Sequence, residues 1–344
     1  MQFGIWTPVP HAIAPEPRLL AATRQALDNA PPEPYADEAY AFAREVVTSA
    51  EALGYDITLI AERLLGPDLE AWMLSAALAE ATSRIHLMTA VHPGLWAPSL
   101  VAKMGASLDR LSGGRFHLNL VTGWWREEYE MFGGTWIEDD EARHRRSEEF
   151  THIVKGLWCE EEFSFAGRYY QVDRARIASR PVQKPYPPIY AATRSEYGKD
   201  YVAREVDVWF LPYGPSYRDF EASLEVARRA MDDLGERAAR YGRTLRFGLS
   251  AHAICADTLE AAYDQAEALV AHGTRDRVAQ IAAGHLRPAL VGPRDLLIER
   301  VQRYQEAGLD LLLLHFSPML EGQARFAREV IDAVRRRAPL GAPS

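Results

Sequence analysis

The stretch Ile85–Val121, IHLMTAVHPGLWAPSLVAKMGASLDRLSGGRFHLNLV, holds a complete strand–helix–strand unit. Ile85–Val91 is a short apolar run bounded by His92-Pro93-Gly94, which reads as a buried strand. Pro98–Leu111 reads as a helix, ended by Gly113 and Gly114. Arg115–Val121 is a second strand. Strands joined through a helix run parallel, because only a crossover of that length returns the chain to the same end of the sheet.

The same alternation extends in both directions. Toward the N-terminus lie a strand at Phe3–Thr7, a Pro-rich loop from Pro8 to Pro34, a helix at Glu38–Leu53 stopping at Gly54, a strand at Asp56–Ala61 and a helix at Leu69–Thr82. Toward the C-terminus, Arg143–Trp158 is an amphipathic helix and Phe163–Val172 a hairpin around Gly167. Further strands are expected at Ile189–Ala192, Val208–Leu211, Leu245–Cys255 and Leu311–Phe316. Helices are expected from Ser195 to Glu205 and at Tyr217–Leu234, Leu259–Ala271, Arg294–Ala307 and Gly322–Arg336. Eight strands, each followed by helical sequence, predict an α/β protein, a closed (β/α)8 TIM barrel with insertion segments. An open doubly wound sheet is the alternative. No repeat or linker divides the chain, so residues 1–344 are expected to form a single domain. Chemistry in such a barrel sits at the carboxyl ends of the strands.

The composition fits this. Of 344 residues 48% are apolar, and 15 Tyr, 12 Phe and 8 Trp are too many for a solvated chain. A net charge of −9 argues against nucleic acid or an anionic membrane as partner. No apolar run is long enough to span a bilayer, and the start MQFGIWTPVPH lacks the pattern of a secretory signal, so a cytoplasmic protein is expected. Cys159 and Cys255 exclude a disulfide scaffold and a cysteine zinc site.

Polar residues at the strand ends are the candidates for chemistry. Asn119 interrupts an apolar strand; it either bonds neighbouring backbone or reads a flat heterocycle with its donor and acceptor. Trp124 and Trp125 either pack or wall an aromatic pocket. Thr193, Arg194 and Ser195 open a helix, where free N–H groups favour a phosphate, although an ordinary N-cap uses the same residue types. His92, His252 and His315 fall at strand ends and are structural, or act as proton donors or anion binders. Glu127–Glu130 reads as a solvated helix face, and so does Arg143–Glu149 unless one of its arginines faces a phosphate. No GxGxxG, P-loop, HExxH or GxSxG motif occurs, so no metal is expected.

These motifs resemble the bacterial luciferase-like flavin monooxygenases, in the branch with alkanesulfonate, dimethyl sulfone and pyrimidine monooxygenases. The resemblance lies in GYDITLI (54–60), the run 82–125, REEYEMFG (126–133), EARHRRSEEF (141–150), KGLW (155–158), FSFAGRYY (163–170), RPVQKPYPPIYAATRS (180–195) and GLDLLLLHFSPMLEGQARFAREVI (308–331). Residues 136–170 are most similar to dimethyl sulfone monooxygenase. The resemblance implies a two-component enzyme. It would use reduced FMN from a separate NAD(P)H:FMN reductase, and O2 as co-substrate, to oxidise a small, sulfone- or sulfonate-like organosulfur compound. A homo-oligomer, dimer or tetramer, is expected. By resemblance, Glu62, Arg63, Asn119, Thr122 and Glu128 line the flavin. Arg143 and His144 match an Arg-Tyr pair near the phosphate, and Thr193, Arg194 and Ser195 hold it. His252 matches a catalytic His, with His92 and His315 on the substrate side and Arg287 as a lid arginine in a short lid, Ala271–Arg287. His144 stands where the family has Tyr, Ser250 where the alkanesulfonate branch has a substrate-binding Arg, and Ser317 where it has Tyr. Losing that Arg removes the natural partner of a sulfonate. The rival functions are a deazaflavin-dependent hydride-transfer enzyme on the same barrel and a non-catalytic flavin-binding barrel.

Overall fold

The structure, a computed structural model, describes residues 1–8, 17–28, 37–66, 68–273 and 283–337. Eight strands form a closed barrel, β1 (Gln2–Trp6), β2 (Ile57–Ile60), β3 (His86–Val91), β4 (Phe116–Leu120), β7 (Ile189–Ala192), β8 (Val208–Phe210), β9 (Arg246–His252) and β12 (Leu311–His315). These are the eight strands expected, and the barrel is the expected fold. By contact the chain groups into two compact units, 1–57 with 211–231 and 247–344, and 58–210 with 232–246.

In the first unit β12 is parallel to both β1 and β9 and stands His315 opposite His252. Its four leucines are buried, as a central parallel strand requires. Helix α2 (Glu38–Ala52) starts at Asp37, whose carboxylate accepts from Tyr40 N at 2.8 Å. The expected strand Leu245–Cys255 is broken in two. After His252 the chain leaves the barrel, and β10 (Ile254–Cys255) pairs instead with β11 (Val291–Gly292). Ile254 N donates to Leu290 O, so the ladder continues on a new partner. The closing helix is also longer than expected, Met319–Phe326 running through a π-helical turn, Ala327–Ile331, into Asp332–Arg337. Pro17 opens helix α1 (Pro17–Leu27), a position that needs no N–H, where a loop was expected. Most of that Pro-rich loop, and residues 274–282 of the expected lid, lie outside the described residues.

In the second unit, β3, β4 and β7 pair in parallel and place Asn119 between Ala90 and Tyr190. Arg115 sits where β4 begins and is buried; its guanidinium donates to Ala79 O, Thr82 O and Ile85 O, which ties helix α3 (Ala71–Ala81) to the start of β3. Asp109, near the end of α4 (Pro98–Leu111), accepts from Val182 N at 2.6 Å and Gln183 N at 3.0 Å and anchors the approach to β7. The hairpin is β5 (Phe163–Ala166) with β6 (Gln171–Ala175). Helix α6 (Asp140–Cys159) begins earlier than expected because Asp139 caps it. A short helix α5 (Arg126–Met131) precedes it. Among the described residues no helix is long and apolar enough to cross a membrane.

Candidate active site

In the second unit the polar groups gather beyond the carboxyl ends of β2, β3, β4 and β7. Glu62 follows β2 and is 3% exposed; no donor reaches either carboxylate oxygen, and its hydrogen-bonding neighbour is the Glu70 carboxyl. Burial, then the neighbouring Glu70, Glu128 and Asp68 carboxyls, push its pKa up to about 9, so it is a neutral acid at pH 7. Arg63 is spent on an ion pair with Asp68. Glu128 is fully buried, not on a solvated face. Its Oε1 accepts from Leu64 N at 2.8 Å and Leu65 N at 3.2 Å, which pins the loop after β2, while its Oε2 has no partner. Asn119 is buried on β4, and Thr122 is half-buried just beyond it. His92, directly after β3, is 1% exposed, and burial alone lowers it to about 4.

Helix α6 and the turn after β7 form one hydrogen-bonded group. His144 Nδ1 lies 2.8 Å from Asp140 O, and its Nε2 lies 2.9 Å from Thr193 Oγ1. A ring that donates from Nδ1 to the carbonyl accepts the Thr193 proton at Nε2. Ser195 caps helix α7 (Glu196–Glu205), accepting from Gly198 N at 3.2 Å; its hydroxyl also hydrogen-bonds the Asp140 carboxylate and lies 3.5 Å from His144 Nδ1. Gly198 must be glycine here, since a Cβ would sit 2.0 Å from Thr193 Oγ1. Arg194 is exposed. Arg143 does not extend freely: it donates to Ile137 O, Glu138 O and Asp140 Oδ1 and lies over the Trp136 ring. Arg146, one turn on, is buried. It donates to Thr135 O, while Nε and Nη2 lack partners. Gly94, at φ +96°, makes room for this guanidinium, because a Cβ would lie 2.2 Å from Nη1.

In the first unit a histidine cluster stands at the ends of β1, β9 and β12. His315 stacks on Trp6 at 4.5 Å between centroids and on His285 at 4.6 Å; His252 lies parallel to His315 at 6.2 Å. Burial lowers His252 to about 4 and His285 to about 3, and holds His315 well below its ordinary value. These rings are therefore neutral near pH 7. His285 escaped the sequence reading because it lies outside any strand, in HLRP (285–288), where no periodicity marks it. Arg287 is exposed, and its carbonyl accepts from Ser223 Oγ at 2.7 Å. Among the described residues no group of three or more His, Cys, Asp or Glu could hold a metal ion.

A parallel barrel with buried acids and imidazoles beyond its carboxyl strand ends defines an α/β-barrel enzyme. The chain belongs to the luciferase-like monooxygenase family, whose model matches residues 1–311. It is a monooxygenase of that class. Among solved structures it is similar to long-chain alkane monooxygenase (LadA), at 17% identity over 100% of this chain and 93% of that one, with a TM-score of 0.77. It is also similar to riboflavin lyase (RcaE), solved with modified FMN and riboflavin, at 18% identity over 100% and 94% and a TM-score of 0.75. An F420-dependent secondary alcohol dehydrogenase, solved with an F420-acetone adduct, shares 18% identity over 97% and 99% with a TM-score of 0.68. At such identities the likeness speaks for the fold.

Proposed function

We propose that this chain is a two-component monooxygenase that uses reduced FMN, supplied by a separate NAD(P)H:FMN reductase, and O2 to oxidise a small substrate. The observation that carries the reading is Glu62, a buried acid beyond β2 that no donor reaches. A buried polar group without a partner is costly unless a ligand supplies one. A flavin ring has an edge of alternating donors and acceptors. A neutral Glu62 can both give and accept there, and Asn119 can do the same. At the other end of the ligand, Ser195 stands at the start of a ten-residue helix, where a phosphate would compete with Asp140 for its proton, and Arg194 adds charge for the phosphate. The residues present therefore fit FMN. Thr193, its proton engaged by His144, contributes through that contact rather than directly. Bound reduced FMN would supply the electrons for oxygen activation. The protein's part is to orient the ring through Glu62 and Asn119, to hold the loop after β2 through Glu128, and to keep His92 as a neutral proton carrier. The single domain, the oligomer and the sulfone-like substrate, for which residues 136–170 are the basis, belong to the same proposal.

Flavin titration of Ser195→Ala tests the phosphate end. Removing one hydrogen bond to a charged group is expected to weaken FMN by about 1.5–3 kcal/mol. Unchanged affinity would remove Ser195 from the site. Oxygen uptake with reduced FMN separates this reading from hydride transfer to a deazaflavin, which needs no oxygen, and from a barrel that binds flavin without turnover.

A further inference from the structure

The histidine cluster carries an inference about what this enzyme binds. His252 is 2% exposed, and neither of its ring nitrogens has a partner; His285 Nδ1 and His315 Nε2 are also buried and unpartnered. Trp6 Nε1 donates to Ser250 Oγ at 2.9 Å, so the indole offers its face and Ser250 keeps a proton to give. Trp6 and His315 are half-buried, so the cluster reaches solvent at that edge. The stacked rings of Trp6, His315 and His285 make a flat wall, with Tyr213 edge-on to His285 at 5.4 Å. Among the described residues no carboxylate, ammonium or guanidinium bears on any of the three imidazoles, which feel burial and one another.

A neutral imidazole presents one donor and one acceptor. Four unpartnered ring nitrogens on three imidazoles, beside a flat wall, match a planar ligand that both gives and takes hydrogen bonds. An anion entering here loses water and meets no cation among the described residues, which is the costly way to bury charge. We infer that Trp6, Ser250, His252, His285 and His315 form a subsite for an uncharged, planar, amide-like group, and that His285 is a specificity-determining residue that, with its neighbours, turns away sulfonates and carboxylates. The inference rests on the monooxygenase reading only in calling this ligand the substrate.

Benzamide and benzoate share size and shape and differ in charge, so they make the test. The full chain, free of flavin, is labelled with nitrogen-15 and its imidazole resonances are followed at neutral pH. Benzamide is expected to shift them saturably, with benzoate at least tenfold weaker. His285→Phe should lose benzamide at least tenfold, and His285→Gln, which restores a donor and an acceptor, should recover most of it. Benzoate binding as tightly as benzamide, or neither probe moving the resonances, would overturn the inference. If His285→Phe does not fold, the benzamide-to-benzoate ratio on the unaltered chain still decides. A parallel FMN titration keeps the two claims apart: selective benzamide binding without FMN binding sinks the flavin reading alone, and the reverse result sinks this one.

Discussion

Glu62 concentrates the physical chemistry of the site in one side chain. Its folded pKa of about 9 against an ordinary 4.5 means that the folded chain holds a proton the unfolded chain releases. Stability from this group is complete below pH 4.5 and declines as pH rises toward 9, by up to about 1.4 kcal/mol per pH unit. Glu62→Gln keeps the shape and removes the titration. The variant is expected to match the parent near pH 4.5 and to be the more stable of the two at pH 8, read from urea midpoints across that range. Equal midpoints at both pH values would show that Glu62 is not held neutral. In flavin titrations the same variant should bind FMN nearly as well as the parent at pH 7, because an amide also gives and accepts. Asn119 was legible as a candidate from sequence because it breaks an apolar strand. That no donor reaches Glu62 was not legible, since an unmet acceptor is a property of packing in three dimensions.

Elements of regular pattern were easy to read, and elements set by tertiary partners were not. Pro98–Leu111 was expected with its observed ends, because a proline at the first position and paired glycines after the last mark them locally. The strand from Leu245 read as continuous because its apolar run gives no sign that β10 changes partner after His252. Helix α5 looked like a solvated run of acids, yet Glu128 and Tyr129 are its buried face. The Glu128 carboxylate is what joins this helix to the loop after β2. Glu128→Ala leaves Leu64 N and Leu65 N without that acceptor. A loss of about 2 kcal/mol is expected in chemical denaturation, together with weaker FMN binding, since the freed loop carries Glu62 at its start. If the variant lost stability while FMN affinity stayed unchanged, the loop would have no part in holding the ring.

At the scale of the whole molecule the buried imidazoles set the response to acid. His92 and His252 are lowered to about 4 and His285 to about 3, and His117 and His315 lie well below 6.5, each first through burial. The folded chain refuses protons that the unfolded chain accepts once pH falls below 6.5. The stabilisation from these neutral rings is therefore complete above pH 6.5 and is lost as pH drops toward their folded values. Glu62, Asp68 and Glu128 work the other way, but they are three carboxyls against five imidazoles. Between pH 6.5 and about 5.5 the paired surface carboxylates stay ionised in both states and contribute little slope, so the histidines dominate there. Stability is expected to peak near pH 6.5, to fall gently on the alkaline side as Glu62 begins to cost, and to fall steeply on the acid side. Each net proton adds about 1.4 kcal/mol per pH unit. Urea midpoints taken every half unit from pH 4.5 to 8 give the proton count directly. An acid limb with the slope of a single proton would mean that most of these rings are protonated in the folded chain, and the neutral wall at the ends of β1, β9 and β12 would not exist in solution.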